Sequence, residues 1–463
     1  MIDHFLTRQI ISQLPFAPTE EQQTLITQLG QFLSSHDCKK CFLLRGYAGT
    51  GKTTVVSALV KALENLKQTT ILLAPTGRAA KVIAAYSHHA AYTIHKKIYR
   101  QKQLGEMSFS LNDNLHKNAV FIVDEASMIS NLPTENSSFG TGRLLDDLIN
   151  YVYSGDRCSI IFLGDDAQLP PVGQQNSPAL EISKLASYGL HVTESSLTNV
   201  VRQARESGIL HNATMLRQRL AENDVINRPT FNLEHFADIR KLAGQEILET
   251  LEQSYRDKGA QETIVLTRTN RRTNLYNQGI RSRILWKEDD ISNGDRLMVT
   301  KNNYFWTKDY EGIEFLANGD MFEIKRIRNF RDMYGFRFAD ASLQSVDYDW
   351  EIDTILWLDT LYTDSPENNY EMQRTLFERV AEDYPEIRNK RDLVKAVYDN
   401  NYYNALQIRF AYAVTCHKAQ GGQWQHVYID QGTLQDEQIN TDYYRWLYTA
   451  LTRATQQIYL INF

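Results

Sequence analysis

At 463 residues, with 42% hydrophobic and 23% charged residues, the chain has the composition of an ordinary soluble protein and is long enough for two to four domains. Its net charge of −6 argues against a protein that coats nucleic acid through a basic surface, while leaving room for a local basic groove. The start, Met1 to Arg8, has no long apolar h-region, and no apolar run approaches the roughly 20 residues needed to span a bilayer, so a cytoplasmic location without membrane contact is expected.

Pro18-Thr19-Glu20-Glu21-Gln22-Gln23 opens a helix, with Thr19 as N-cap and Gln22 three residues on as its capping-box partner. Gln22 admits a second reading, because a primary amide donates and accepts at once and so matches the N6/N7 edge of adenine. Cys41 to Leu44 then lead into Gly46-Tyr47-Ala48-Gly49-Thr50-Gly51-Lys52-Thr53-Thr54, which fits the phosphate-loop pattern G-x-x-x-x-G-K-[ST] at every fixed position. The apolar run Val55 to Val60 follows, giving strand, loop, helix. Small residues let the backbone N–H groups of Gly49, Thr50, Gly51, Lys52, Thr53 and Thr54 face an anion, and the helix adds its positive end. Lys52 would reach the β- and γ-phosphates of ATP, and the Thr53 hydroxyl would hold Mg²⁺. Cys38 and Cys41 form a C-x-x-C, but Cys158 and Cys416 each stand alone; neither a disulfide framework nor a zinc site is expected.

Thr70 to Ala74 reads as a second buried strand running into Pro75-Thr76-Gly77-Arg78-Ala79-Ala80-Lys81, which puts a Thr and an Arg where open α/β sheets bind ligands. Thr93-Ile94-His95 follows another short helix. Arg100 to Lys117 is polar, either a solvated hairpin or a long loop. Val120-Phe121-Ile122-Val123 ends in Asp124-Glu125, and a phosphate-loop enzyme needs one carboxylate for the Mg²⁺ shell and another to orient or deprotonate water. Residues 131–142, with Pro133, Gly140 and Gly142, read as a loop. Ser159 to Gly164 repeats the strand pattern before Asp165-Asp166-Ala167-Gln168-Leu169-Pro170-Pro171-Val172, where the Gln168 amide is placed to sense the γ-phosphate. Short buried strands with helices between them make an α/β fold with a parallel, doubly wound sheet.

The phosphate loop, Pro-Thr-Gly-Arg-Ala-Ala, Asp-Glu-Ala-Ser and Gly-Asp-x-x-Gln-Leu-Pro-Pro-Val, in that order, resemble the first half of the superfamily 1 DNA helicases, in their RecD-like, Pif1-like and Dda-like branch. Three later blocks extend the resemblance: Leu197-Thr198-Asn199-Val200-Val201-Arg202-Gln203, Ala413-Val414-Thr415-Cys416-His417-Lys418-Ala419-Gln420-Gly421-Gly422, and Trp446 to Ala454. It departs at Gly422, where the family more often has Ser. The resemblance implies two RecA-like lobes closing on ATP and Mg²⁺, with a small all-β, SH3-like insertion in the second. Thr53 and Asp124 would hold the metal, and Gln22 and Gly421 would join the phosphate loop in binding nucleotide. Lys52, Asp124, Glu125 and Gln168 would act in catalysis, with Arg202 and Arg453 neutralising the γ-phosphoryl group, a role worth about 10³–10⁵ in rate.

The expected boundaries are 1–196 for the first lobe, 197–290 for the first part of the second, 291–400 for a β-barrel-like insertion with charged helices, and 401–463 for the second part. With the chain ending shortly after Arg453, no C-terminal partner domain is expected. The resemblance also implies single-stranded DNA and duplex junctions as substrates, replication or repair proteins as partners, and travel 5′ to 3′. Pro75, Thr76, Arg78, Thr93, His95, Thr415, His417 and Lys418 would contact DNA through phosphates and stacking. His95 and His417 also fit buried, hydrogen-bonded core histidines. Arg100 to Lys117, with Met107 and Phe109 as apolar tips, would form the strand-separating wedge or else an ordinary surface loop. Two other readings of the whole stay open: a DNA-stimulated ATPase subunit without autonomous unwinding, and a nucleotide-regulated switch.

Overall fold

In the computed structural model, residues 2–101, 109–133, 139–200, 206–308, 310, 313, 315–363 and 366–463 are described. Helices α1 (Ile2–Ser12) and α2 (Glu20–Ser34) come first. The capping box expected at Thr19 is present: the Gln22 N–H donates to the Thr19 hydroxyl, and the Thr19 N–H donates to the Gln22 side chain. The apolar run before the phosphate loop is β1 (Lys40–Gly46), with Phe42, Leu43 and Leu44 buried, and the loop opens into α3 (Lys52–Asn65). Strands and helices then alternate through β2 (Thr70–Ala74), α4 (Gly77–Ser87), β3 (Ala91–Thr93) and α5 (Ile94–Ile98). A short ribbon interrupts them, β4 (Tyr99–Gln101) antiparallel to β5 (Phe109–Leu111). The alternation resumes with β6 (Val120–Val123), α6 (Leu144–Ser154), β7 (Ser159–Gly164), α7 (Ile182–Ala186), β8 (His191–Leu197) and α8 (Gly208–Ala221).

The first sheet runs β3-β2-β6-β7-β1-β8, every neighbouring pair parallel. Its inner strands β6 and β7 are buried on both faces, which is why they read as unbroken apolar runs rather than alternating ones. Leu25 and Ile26 of α2 and Val55 and Leu59 of α3 pack on Phe42, Leu44, Ile122 and Ile161. With β1 flanked by β7, and β7 by β6, the phosphate loop leaves the sheet at the same edge as Asp124 and Asp165. That is the edge at which doubly wound sheets bind ligands.

Further along are β9 (Ile239–Leu242), α9 (Ile247–Asp257), β10 (Thr263–Thr267) and α10 (Asn270–Arg283). Then come β11 (Arg296–Val299), β12 (Met321–Met333), β13 (Phe336–Ser345), β14 (Glu351–Trp357), α11 (Pro366–Ala381) and α12 (Lys390–Tyr398). The chain finishes with β15 (Leu406–Phe410), β16 (Ala413–Thr415), α13 (Cys416–Ala419), β17 (Trp424–Asp430), α14 (Thr441–Leu451) and β18 (Ala454–Ile461). A second open sheet has the order β16-β10-β17-β18-β9, with β10 parallel to both β16 and β17. Strands β11 to β15 close into a barrel. The architecture is two RecA-like sheets with a small barrel inserted in the second.

The barrel reaches beyond the expected 291–400, because β15 pairs with β11 and β14 before the open sheet resumes at Ala413. A five-residue strand does not reveal from its own sequence which sheet it joins. By contact the chain divides into two units, residues 1–240, 419–425 and 433–459 in one, and 241–418, 426–432 and 460–463 in the other. This division does not follow the expected boundary at 196/197: α8 and α14 belong with the phosphate-loop sheet. Among the described residues no helix is long and apolar enough to cross a membrane.

Candidate active site

The phosphate loop is closed by its glycines. Gly49 and Gly51 have φ of +76° and +80°, a left-handed backbone that glycine adopts at no steric cost. A Cβ on Gly46 would lie 3.1 Å from the Lys52 side chain, so the loop folds tightly over its own lysine. Thr50 is buried and donates its hydroxyl to the Tyr47 carbonyl at 2.8 Å. Gln22 donates from Nε2 to the Thr50 carbonyl at 3.2 Å while accepting from Thr19, which fixes its amide against the loop and leaves one N–H for a base.

At the end of β6, Asp124 accepts from the Glu125 N–H at 2.9 Å. Glu125 has φ of +51°, a conformation that costs a non-glycine residue about 1–3 kcal/mol and is typical of functional positions. Burial pushes the Asp124 pKa up, the Lys52 ammonium pulls it down, and the Glu125 carboxylate adds to the rise. Arg453, itself buried, brings Nη1 to 3.7 Å from Glu125 Oε1, whereas Glu125 Oε2 is buried with no hydrogen-bond partner. At the end of β7, burial pushes the Asp165 pKa up to about 6, against the pull of Lys52. Gln168 is buried and its Oε1 has no partner. Lys52, Thr53, Asp124, Glu125, Gln168 and Arg453 all line one cavity of about 630 Å³.

Among the described residues, no three His, Cys, Asp or Glu side chains converge as they would in an all-protein metal site. The cavity instead offers the Thr53 hydroxyl beside Asp124, a buried carboxylate crowded by a second one. That donor set suits Mg²⁺, which takes few protein oxygens and completes its octahedron with phosphate and water. The residues fit the ion.

The walls of this cavity are braced by residues that had no assigned role. The Tyr448 hydroxyl donates to Asp165 Oδ2 at 2.6 Å and accepts from the Ala48 N–H of the phosphate loop at 3.0 Å. The Leu169 N–H donates to the Thr449 hydroxyl at 2.8 Å, and Gln420 Nε2 donates to the Leu169 carbonyl at 2.7 Å. Arg453, in the turn after α14, donates from Nε to the Thr449 carbonyl at 3.1 Å, and from Nη1 to the Gly422 carbonyl at 3.3 Å. Tyr448, Thr449 and Gln420 all lie inside blocks that carry the family resemblance, but nothing in their spacing reveals their partners.

Of the remaining expected site residues, Arg202 lies outside the described residues, as do Met107 and residues 134–138 of the expected loop. Gly421 does not line the cavity: at φ +74° it packs on α4, where a Cβ would meet Ala79 Cβ at 2.7 Å. Gly422 has a steric reason. A Cβ there would lie 2.5 Å from the Trp424 ring and 2.9 Å from Arg78 Nε, and Arg78 stacks over that ring at 4.1 Å. The family's serine would displace this pair.

Pro75 ends the β2 edge, and Thr76 and Thr93 are helix N-caps, accepting from the N–H groups of Ala79 and Lys96. His95 is half-buried among aromatic rings, 5.0 Å from Phe139 and 5.7 Å from Tyr99, and burial pushes its pKa down to about 4. A neutral ring of this kind offers stacking or a hydrogen bond, not charge. Phe109 is not an exposed tip: it is buried against Phe139 at 4.9 Å.

In the second unit, Thr415 ends β16, half-buried, and His417 and Lys418 lie exposed on α13. Lys418 Nζ donates to Asn318 Oδ1, in a barrel turn, at 2.7 Å. Although the side chain is exposed by area, lost hydration around the ammonium and the Arg409 guanidinium push its pKa down to about 8.

Residues 19–227 match a family model described as an AAA domain, and residues 410–461 match one described as a UvrD-like helicase C-terminal domain. "Uncharacterized protein R530" of Acanthamoeba polyphaga mimivirus is 25% identical over 513 residues, covering 95% of this chain and 98% of that one. The ATP-dependent RecD2 DNA helicase of Deinococcus radiodurans is 29% identical over 201 residues, covering 42% of this chain but only 23% of the relative. The crystal structure of the Pif1 helicase from Bacteroides in complex with ADP-AlF3 and ssDNA covers 97% of this chain and 93% of that one, at 15% identity and a TM-score of 0.47.

Proposed function

We propose that this chain, which belongs to the superfamily 1 helicases of the RecD-like, Pif1-like and Dda-like branch, hydrolyses ATP to move along single-stranded DNA and to separate strands at duplex junctions. The observation that carries the reading is the convergence of Lys52, Asp124, Glu125, Gln168 and Arg453 on one cavity, with buried oxygens of Glu125 and Gln168 left unpartnered. Such atoms are costly unless a bound group satisfies them.

The roles follow from position. Lys52 and the loop N–H groups bind the phosphates of ATP. Thr53 and Asp124 would hold Mg²⁺, which neutralises charge on the β- and γ-phosphoryl oxygens. Glu125 takes the proton of a water as its oxygen bonds to the γ-phosphorus and the bond to the β-phosphate oxygen breaks, leaving ADP and inorganic phosphate. The Gln168 amide orients that water, and Arg453 meets the charge developing on the phosphoryl group. Arg202 is assigned the same task by resemblance. Thr76, Arg78, Thr93, His95, Thr415, His417 and Lys418 supply the contacts to the strand. One ATP per nucleotide is ample, since stacking averages about 1.4 kcal/mol per base-pair step. Travel 5′ to 3′ is proposed from the branch alone.

A second reading has one observation in its favour. Burial of Phe109 removes one of the two apolar tips proposed for a wedge, as it would in a DNA-stimulated ATPase subunit that relies on another protein to part the strands. Strand displacement by the isolated chain decides between them. A helicase of this polarity releases the labelled strand from a duplex with a 5′ single-stranded tail and leaves one with a 3′ tail paired; ATP turnover without release from either supports the subunit.

A further inference from the structure

A second cavity of about 510 Å³ lies in the phosphate-loop unit and shares a wall with the first: Tyr47, Asp165 and Gln168 line both. Two buried oxygens without hydrogen-bond partners mark this side. Gln168 Oε1 belongs to the shared wall, and Ser127 Oγ, two residues beyond Glu125, belongs to a residue that lines only the second cavity. Beyond the wall the lining carries Arg45, Arg217 and Arg445 beside Asp166 and Glu181. Arg217 stacks on the Tyr47 ring at 4.3 Å and donates from Nη1 to the Thr198 carbonyl at 2.9 Å. Arg445 donates to the Gln175 carbonyl and to Asn176 Oδ1. Among the described residues neither guanidinium is within ion-pair distance of a carboxylate. Of the carboxylates nearby, Asp165 accepts from Tyr448, Asp166 lies 3.7 Å from Arg45, Glu181 shares the lining, and Glu21, which accepts from Thr198 and Asn199, feels the Arg217 charge from outside it.

We propose that this second cavity receives the inorganic phosphate cut from ATP and is its way out of the enzyme, an inference that rests on the ATPase reading above. The γ-phosphoryl group is placed between Lys52 and the Glu125–Gln168 side, so once the bond to ADP breaks, the nucleotide still fills the phosphate loop behind it. The free phosphate faces the shared wall. Rotation of the Gln168 and Tyr47 side chains opens that wall, the unpartnered oxygens of Gln168 and Ser127 take up protonated phosphate oxygens, and Arg217 and Arg445 draw the anion onward. Arg217 also ties the gate to the path, since the cation that meets the phosphate is the one stacked on Tyr47.

The test separates making phosphate from releasing it. Ala221→Trp, at the end of α8, and Ser183→Trp, on α7, each fill the second cavity from positions that do not line the first. In the full-length chain with saturating single-stranded DNA, phosphate formed in the first turnover is read by acid quench, and phosphate released by a fluorescent phosphate sensor. Formation within twofold of the native rate, with release slowed tenfold or more in at least one plugged chain, supports the exit. Release that keeps pace with formation in every plugged chain that still forms phosphate overturns it. If both tryptophan chains fail to form phosphate, Ala221→Leu serves as the milder filling and is judged by the same two rates. A native chain that forms no phosphate overturns the ATPase reading, and the exit with it.

Discussion

The phosphate-loop cavity and the Thr415–Lys418 segment are both built at the ends of parallel strands, yet they hold their charged residues differently. In the cavity, Asp165 is buried and Glu125 half-buried, and the groups are braced from elsewhere in the chain: Asp165 by Tyr448, Glu125 by Arg453, and the Leu169 backbone by Thr449 and Gln420. On α13, by contrast, Lys418 is exposed and hydrogen-bonded to the neutral amide of Asn318. A site that must stabilise charge as a bond breaks gains from dipoles fixed in advance. A group that grips a strand and releases it needs a partner it can exchange.

The largest test of that contrast lies in the cavity. Glu125→Gln keeps the shape of the side chain and removes its basicity, so DNA-stimulated kcat should fall by about 10²–10⁴ while ATP binding persists; steady-state turnover and nucleotide titration check the two halves. Tyr448→Phe comes next. It deprives Asp165 Oδ2 and the Ala48 N–H of a buried partner, and a loss of about 1–2 kcal/mol corresponds to a kcat about 5- to 30-fold lower. Combining it with Asp165→Asn should add little, because both changes break the same bond; fully additive effects would show that Tyr448 acts elsewhere.

The second region should respond to pH rather than to shape. Lys418 is cationic below its pKa of about 8 and neutral above it, so affinity for single-stranded DNA should weaken as pH rises through 8. The sign follows from the ammonium being the form that pairs with phosphate. Lys418→Arg stays charged throughout and should flatten that part of the profile, an effect of one phosphate contact, about a few-fold at moderate salt. The smallest effect is expected at Gly422→Ser. The new Cβ would push Arg78 off Trp424, which should weaken DNA binding a few-fold and lower stability by about 1–3 kcal/mol, as overpacking does; fluorescence anisotropy and thermal melting read the two.

Much of this was legible in the sequence because it is local. The phosphate loop, Asp124-Glu125 and the apex at Gln168 each declare themselves within about ten residues, as a buried run followed by polar groups. What stayed hidden depends on pairing across the chain. Tyr448 meets Asp165 at a separation of 283 residues, and a tyrosine in an apolar helix looks like core. Gly422 reads as a departure from the family until Trp424 and Arg78 are seen stacked beside it. The same limit misled the reading of Phe109, since an aromatic in a polar stretch suggests exposure unless Phe139 is known to cover it. Strand β15 falls within the range expected for the lobe because its pattern says strand and nothing about which neighbour it takes.

The most direct test of the central claim is ATP hydrolysis with and without single-stranded DNA, for the native chain beside Lys52→Ala. A motor coupled to a nucleic-acid track should turn over many-fold faster with DNA, and the substitution should abolish both the basal and the stimulated rate. A native rate that ignores DNA would contradict the account, leaving a nucleotide-binding cavity with no track to drive.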